Sequence, residues 1–448
     1  MRSKALVWFP KLSWIAFCAT LVLIPFRLRL NLLARPQPPI WADYTDFLLF
    51  ASDLGLILTL SFWCADLYIR PRRIESGPAF LALPLVGLGL VALLTSFTAV
   101  DPALSIYHTI RLALLFLFYI YVINNVPSLR QLVLPLGLMA GIQATAAIAQ
   151  ALTQHSVGLQ VLGEYELDPA WPGVSVVWTE TVRSLRGYGL SDHPNILGGC
   201  LAFALVLLAA SYISEERRRL PFILPTVIAG GAVALLVTYS RSAWLGAAAG
   251  MALLGFYVVR KDRKQLRRSL ILAAVVLAAL APFVWANVDL LGVRLGAGGS
   301  FEELPAEIGS LGERRVLIDA ANQVFSKHAL LGVGVGGSPL AFKEEFPEFA
   351  VNYQPAHLAI LSAAVETGLL GAVFYAILVF APWLALFLAR GLKWNLNLAG
   401  ASALLLALTL VGLFDYYTWL LAPGRLWQYL AWGLWARFYS DAKLNKSR

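Results

Sequence analysis

Apolar runs close to the length that crosses a bilayer recur along the whole of this 448-residue chain. A helix needs roughly 20 such residues to span the hydrocarbon core. Hydrophobic residues make up 59% of the chain and charged residues only 14%, against about 25% charged in a soluble domain. That much apolar surface has no place in a water-facing fold. Backbone polar groups in lipid must be satisfied within the spanning segment, and the runs lack the alternation of barrel strands, so the spans are helices.

Twelve spans are expected, near residues 12–26, 46–68, 79–97, 106–123, 129–153, 195–213, 220–237, 243–259, 270–285, 369–388, 398–413 and 426–438. The fold class is therefore all-α: a polytopic membrane protein of about a dozen transmembrane helices, one integral membrane domain over residues 1–448. The first run follows Arg2, Lys4 and Lys11 like a signal peptide, but Pro25, Phe26 and Arg27 come next in place of a small-residue cleavage site. It reads as a retained span. Cys18, Cys64 and Cys200 lie in separate apolar runs without metal or disulfide spacing, and read as core thiols.

Alternate connections are basic. Arg70, Arg72 and Arg73, then Arg217, Arg218 and Arg219, then the run from Arg260 to Arg268, then Arg390 and Lys393 fall on one side. The positive-inside rule makes that side cytoplasmic, with both termini. The net charge of +9 then reflects cytoplasmic loops and not a nucleic-acid partner. Arg27, Arg29 and Arg35 disagree, falling on the outer side. Residues 154–192, 238–242 and the long loop 286–356 also face outward, the last with surface helices around Val316, Ala320, Gln323 and Val324. The glycines from Gly332 to Gly337 read as a flexible turn; without a Lys-Ser/Thr ending they are no nucleotide loop. Trp419, Trp427 and Trp432 read as interfacial anchors.

Ionisable groups near a bilayer are costly, so those beside the outer segments are candidates for function. They are Arg183 and Arg186, His193 and Asn195, Arg241, Arg314, His357, Glu366 and Asp415. Arginine holds phosphate by paired hydrogen bonds and stays charged. Several arginines at one vestibule suit a diphosphate without a metal, and a histidine there can take a proton from a hydroxyl. Each has a plainer alternative: solvated charge for Arg183, Arg314 and Arg315, an interface anchor for Arg241, a structural hydrogen bond for His193, a helix cap for Asp415. No clustered carboxylates or histidines suggest a metal.

Arg186-Gly187, Pro194-Asn195, Ser240-Arg241, Arg314, His328-Ala-Leu-Leu-Gly-Val-Gly334 and His357…Leu361…Glu366-Thr-Gly368 follow one another in order. In this the chain resembles the O-antigen ligase and O-antigen polymerase superfamily of bacterial envelope glycosyltransferases. It departs at Ala329, where proline is usual, and at Leu358, where asparagine is usual. The resemblance implies a donor glycan on undecaprenyl diphosphate and a lipid A–core acceptor, joined with inversion at the periplasmic face of the inner membrane, without a cofactor. It implies that Arg186 and Arg241 grip the diphosphate and that His357 activates the acceptor hydroxyl. Arg183, Asn195, Arg314, Glu366 and Asp415 would support them. The polymerase and protein O-oligosaccharyltransferases share the donor and stay open as alternatives. A lipid or polysaccharide transporter is the rival of another class, disfavoured because the spans show no internal repeat.

Overall fold

The computed structural model describes residues 2–179, 182–214, 222–261, 263–296, 305–389 and 391–444. Nine helices form the first half: α1 (Arg2–Leu23), α2 (Ala51–Ile69), α3 (Ala79–Thr95), α4 (Pro102–Asn125), α5 (Val133–Thr153), α6 (Pro194–Ser214), α7 (Ile223–Val237), α8 (Arg241–Val259) and α9 (Arg263–Ala286). The rest are α10 (Val288–Leu295), α11 (Pro305–Lys327), α12 (Ser338–Glu345), α13 (Ala359–Leu388), α14 (Leu396–Gly412), α15 (Tyr417–Leu420) and α16 (Ala422–Leu444). Each of the twelve expected spans coincides with one of the longer helices. Seven of them are long and apolar enough to cross a membrane, and four shorter ones are apolar as well. The chain is an all-α, multi-pass membrane protein.

α6 is the axis. Its spanning window is 100% buried, whereas that of α9 is 6% buried and faces outward over nearly all its length. Lipid tails are as apolar as leucine, so helices in a bilayer associate by close packing at small residues. Accordingly, an added Cβ at Gly246 would lie 2.9 Å from the Ala407 carbonyl, and one at Gly250 would lie 3.0 Å from that of Ala403. Those two contacts seat α8 directly on α14. α16 is also buried along nearly its whole length despite Arg425, Gln428 and Arg437.

Two short hairpins cap the end of the bundle that holds the candidate residues. β1 (Arg29–Leu33) pairs with β2 (Phe47–Phe50), and β3 (Val176–Trp178) pairs with β4 (Arg183–Leu185), both antiparallel. The second expected span therefore begins at Ala51, not at Asp46, because residues 47–50 are spent on the hairpin. The arginines that broke the charge rule lie on or beside the first hairpin and are paired there. Arg27 and Arg29 both bind the Asp192 carboxylate at 2.9 Å, Arg29 also binds Asp43 at 2.5 Å, and Arg35 binds Asp101 at 2.7 Å. All three are thus held in ion pairs with aspartates at this end of the bundle. Arg217, Arg218, Arg219 and Arg390 lie outside the described residues.

The glycine run is no flexible turn. Residues 332–337 are all buried and thread against α13. Val333 and Gly334 donate backbone N–H to the carbonyls of Val365 and Glu366, and Leu369 donates to Ala329. Gly332, Gly334 and Gly336 alternate at φ +72°, +90° and +81°, which lets the strand of backbone turn at every second residue. α13 is broken at the contact: Gly368 has φ +65° and ψ −171°, with an added Cβ only 2.2 Å from the Leu330 carbonyl. The Glu366 carboxylate fastens the junction by accepting from Gly336 N–H (2.8 Å), Ser338 Oγ (2.7 Å) and Trp419 Nε1 (2.8 Å).

The aromatic anchors read from sequence lie inside instead. Trp419, Trp427 and Trp432 are buried because α15 and α16 pack within the bundle, and Trp432 Nε1 donates to the Leu378 carbonyl at 3.1 Å. Of the cysteines, only Cys200 is in the core; Cys64 is exposed and Cys18 half-buried.

The conformation at Gly368 is open to glycine alone. Gly368→Ala is expected to cost more than about 2 kcal/mol and to lower the thermal midpoint of the detergent-solubilised protein by several degrees. Gly89→Ala in α3, where nothing lies within 4 Å, should leave it unchanged. Equal melting of the two variants refutes the assignment.

Candidate active site

The junction between α7 and α8 gathers three arginines. Tyr239 takes φ +48°, which swings the chain sharply after α7 and turns the carbonyls of residues 238 and 239 outward from helix geometry. Arg186 Nε donates to the Thr238 carbonyl at 2.7 Å, and Arg294 Nε from α10 donates to the Tyr239 carbonyl at 2.8 Å. Arg241 is the first residue of α8, directly after Ser240. Gly187 permits the approach, donating its N–H to Val237 O at 2.8 Å with no room for a side chain.

From Arg186 a chain of side chains runs to His357. Arg186 Nη2 donates to Asn195 Oδ1 at 2.6 Å, and Asn195 Nδ2 donates to Asp415 Oδ2 at 3.1 Å. Asp415 Oδ1 accepts the Tyr416 backbone N–H at 3.0 Å and lies 3.7 Å from His357 Nδ1. That last gap exceeds hydrogen-bond length, and Nδ1 has no hydrogen-bond partner among the described residues. The His357 ring stands edge-on to Tyr416 with centroids 5.0 Å apart, and the Tyr416 and Tyr44 hydroxyls are in contact. Leu358, where the family pattern has asparagine, is the N-cap of α13 and makes no side-chain cap. The orientation of His357 therefore rests on Asp415 and Tyr416.

His193 has a fixed tautomer. Its Nδ1 accepts the Asn195 N–H at 3.1 Å, so Nε2 carries the proton and faces Ser175 Oγ at 2.9 Å. Burial first, then Arg186, His357, Arg294 and Arg314, holds this imidazole well below its usual range. It is a neutral strut at the mouth of α6. Burial also lowers His357, helped by Arg314 and opposed by Asp415. Arg314 on α11 thus acts on both rings, beside a Glu313 that burial raises and that Gln354 Nε2 meets at 2.8 Å. α11 packs on α13 through Leu317, Ala320, Ala321 and Val324, a cleaner stripe than the one expected around Val316 and Gln323.

The residues named from sequence separate into groups. Arg186, Asn195, Asp415 and His357 form one connected set, with Arg241 on the same junction and Arg314 within electrostatic reach. Arg183 is the exposed first residue of β4, with its guanidinium over the Trp178 ring. Glu366 is a fastening for the glycine run. Arg294 was not singled out, since an arginine beyond the last outer apolar run carries no signal of its own; only the φ at Tyr239 brings it in. No three His, Cys, Asp or Glu side chains among the described residues gather as metal ligands.

Residues 224–376 match the O-antigen ligase family. That third of the chain carries Arg241, Arg294, Arg314, His357 and Glu366, and the resemblance read from the motifs is borne out there. The match supports a ligase- or polymerase-type glycosyltransferase in a membrane. Arg186, Asn195 and Asp415 lie outside the matched segment and are joined to it by the contacts above. A search of the curated proteins found no match.

The depressed imidazole has a measurable consequence. Reaction of His357 with diethylpyrocarbonate, located by mass spectrometry, is expected to rise with pH through a midpoint below the usual value of about 6.5. Asp415→Asn removes the influence that raises it, so the midpoint should fall further. A midpoint above the usual value contradicts the site geometry.

Proposed function

We propose that this protein transfers a glycan from undecaprenyl diphosphate to a sugar hydroxyl of a lipid A–core acceptor. The reaction would run on the periplasmic face of the bacterial inner membrane, with residues 286–356 forming the periplasmic loop over a single membrane domain. The observation that carries the reading is the hydrogen-bonded link Arg186–Asn195–Asp415, which ends 3.7 Å from His357 Nδ1, beside the arginine-bearing turn after α7.

The chemistry follows from the parts. His357 takes the proton of the acceptor hydroxyl, and the oxygen attacks the anomeric carbon from the face opposite the diphosphate. The glycosidic C–O bond breaks, its electron pair leaves on the diphosphate, and the anomeric configuration inverts. Negative charge grows on the leaving group, and Arg186, Arg241 and Arg294 are the groups that stabilise it. A guanidinium already held by Thr238 and Asn195 needs no reorganisation when that charge appears. Closing the 3.7 Å gap to Asp415 would keep the His357 proton on Nδ1 and present Nε2 as the base. Arg314 serves as a further positive group near the imidazole.

Purified protein mixed with lipid-linked glycan and lipid A–core should yield a ladder of transferred product. His357→Ala is expected to lower turnover by about 10²–10⁴-fold, the scale of losing a general base. Arg186→Ala should cut turnover more than donor binding. No transfer by the wild type, or full transfer by His357→Ala, refutes the mechanism. Product formed from lipid-linked glycan alone identifies a polymerase; transfer to a protein hydroxyl identifies an oligosaccharyltransferase.

A further inference from the structure

A second group of buried charges lies apart from the residues that hold the proposed donor. A cavity of about 220 Å³ opens between α2, α4 and the first turn of α16. Its walls are apolar, with Leu56, Ile57, Ile110, Leu115 and Leu426 among them, while Asp53, Arg111 and Arg425 supply its polar groups. None of Arg186, Asn195, Asp415 and His357 lines it.

The two arginines differ in how fully they are used. Arg111 is satisfied: Nη2 meets Asp53 at 2.9 Å, and Nη1 meets Tyr107 Oη at 2.6 Å and Leu48 O at 3.0 Å. Arg425 is only 2% exposed. Its Nε donates to the Trp419 carbonyl and its Nη1 lies 3.2 Å from His108 Nδ1. Its Nη2 is buried with no hydrogen-bond partner among the described residues. Glu366 is within electrostatic range, but its oxygens are taken by Gly336, Ser338 and Trp419. A buried cationic donor left unmatched is costly, and ionisable groups among spanning helices ordinarily serve a ligand or a path.

We infer that this cavity binds an anionic membrane phospholipid, its phosphodiester on Arg425 and Arg111 and an acyl chain along α2 and α4. Three observations select that occupant. The mouth is open to the bilayer, since Ile110 is 57% and Ile57 37% exposed. Asp53 and Arg425 lie in the first turns of α2 and α16, at the depth where a headgroup meets the apolar core. The donor count suits a single phosphodiester: Asp53 is taken by Arg111, and the Glu366 oxygens by Gly336, Ser338 and Trp419, so Nη2 of Arg425 is left for one anionic oxygen. A diphosphate would overload it. The inference goes beyond glycan transfer and does not depend on it.

The test is native mass spectrometry of the full-length protein titrated with phosphatidylglycerol, phosphatidylcholine or an isoprenyl phosphate. Wild type is expected to retain phosphatidylglycerol at least about tenfold more tightly than phosphatidylcholine, whose phosphodiester brings a choline cation against Arg425 and Arg111. Ile110→Trp keeps every arginine, sits on an exposed face and fills the mouth; it should abolish that preference, as should Arg425→Gln. Equal binding of the two phospholipids by wild type overturns the proposal. So does a preference surviving in Ile110→Trp, however the Arg425 variant folds, and so does stronger binding of the isoprenyl phosphate.

Discussion

A guanidinium held almost out of water at the end of a membrane bundle must find its partners before anything else there can be arranged. Arg186 is 6% exposed, and it takes the Thr238 carbonyl on one side and Asn195 on the other. The first contact ties the segment before α6 to the turn after α7. The second reaches across α6 to the Asp415 carboxylate and so to His357. Remove the cation and Asn195 loses its orientation, Asp415 loses a donor, and the turn carrying Arg241 and Arg294 loses a lateral tie. One charge thereby registers four separate stretches of chain.

Electrostatics at this end works by pairing, not by dilution in water. Arg27, Arg29 and Arg35 are each met by aspartate, and Asp192, which holds two of them, is the neighbour of His193 at the mouth of α6. The first hairpin is thus fastened to the helix that opens the site, and Tyr44 from the loop inside that hairpin touches Tyr416 beside His357. Burial, joined by several arginines at His193 and by Arg314 against Asp415 at His357, lowers both imidazoles below their usual range. For His193 that makes a rigid spacer; for His357 it makes a group ready to accept a proton.

The helices were legible because hydropathy over some 20 residues is a strong local signal, and each of the twelve apolar runs falls on a helix, seven of them long and apolar enough to cross a membrane. Arg186, Arg241 and His357 were legible as charges beside apolar runs, and the motif order tied them together. What was not legible depends on long-range pairing. Hydropathy has no means to say that the tryptophans of α16 are central, since an aromatic at a span end looks alike facing lipid or a neighbouring helix. The glycine run read as loose because glycine lacks propensity of its own, whereas here its positive φ values fit it to a broken helix. Arg294 was invisible because its partner is a backbone carbonyl created by the conformation of Tyr239.

The break at Gly368 bears on catalysis through plain mechanics. Nine residues of helix, Ala359 to Thr367, separate that pivot from the loop carrying His357, a rod of about 13 Å at 1.5 Å per residue. A tilt of about 10° at the pivot would carry the imidazole roughly 2 Å, and misplacement on the order of 1 Å is enough to spoil a reacting geometry. Glu366, two residues before the pivot, clamps the rod to both the glycine run and Trp419. The aim of the base is accordingly set by backbone far from it, and the precision of the site is limited by the stiffness of that one joint.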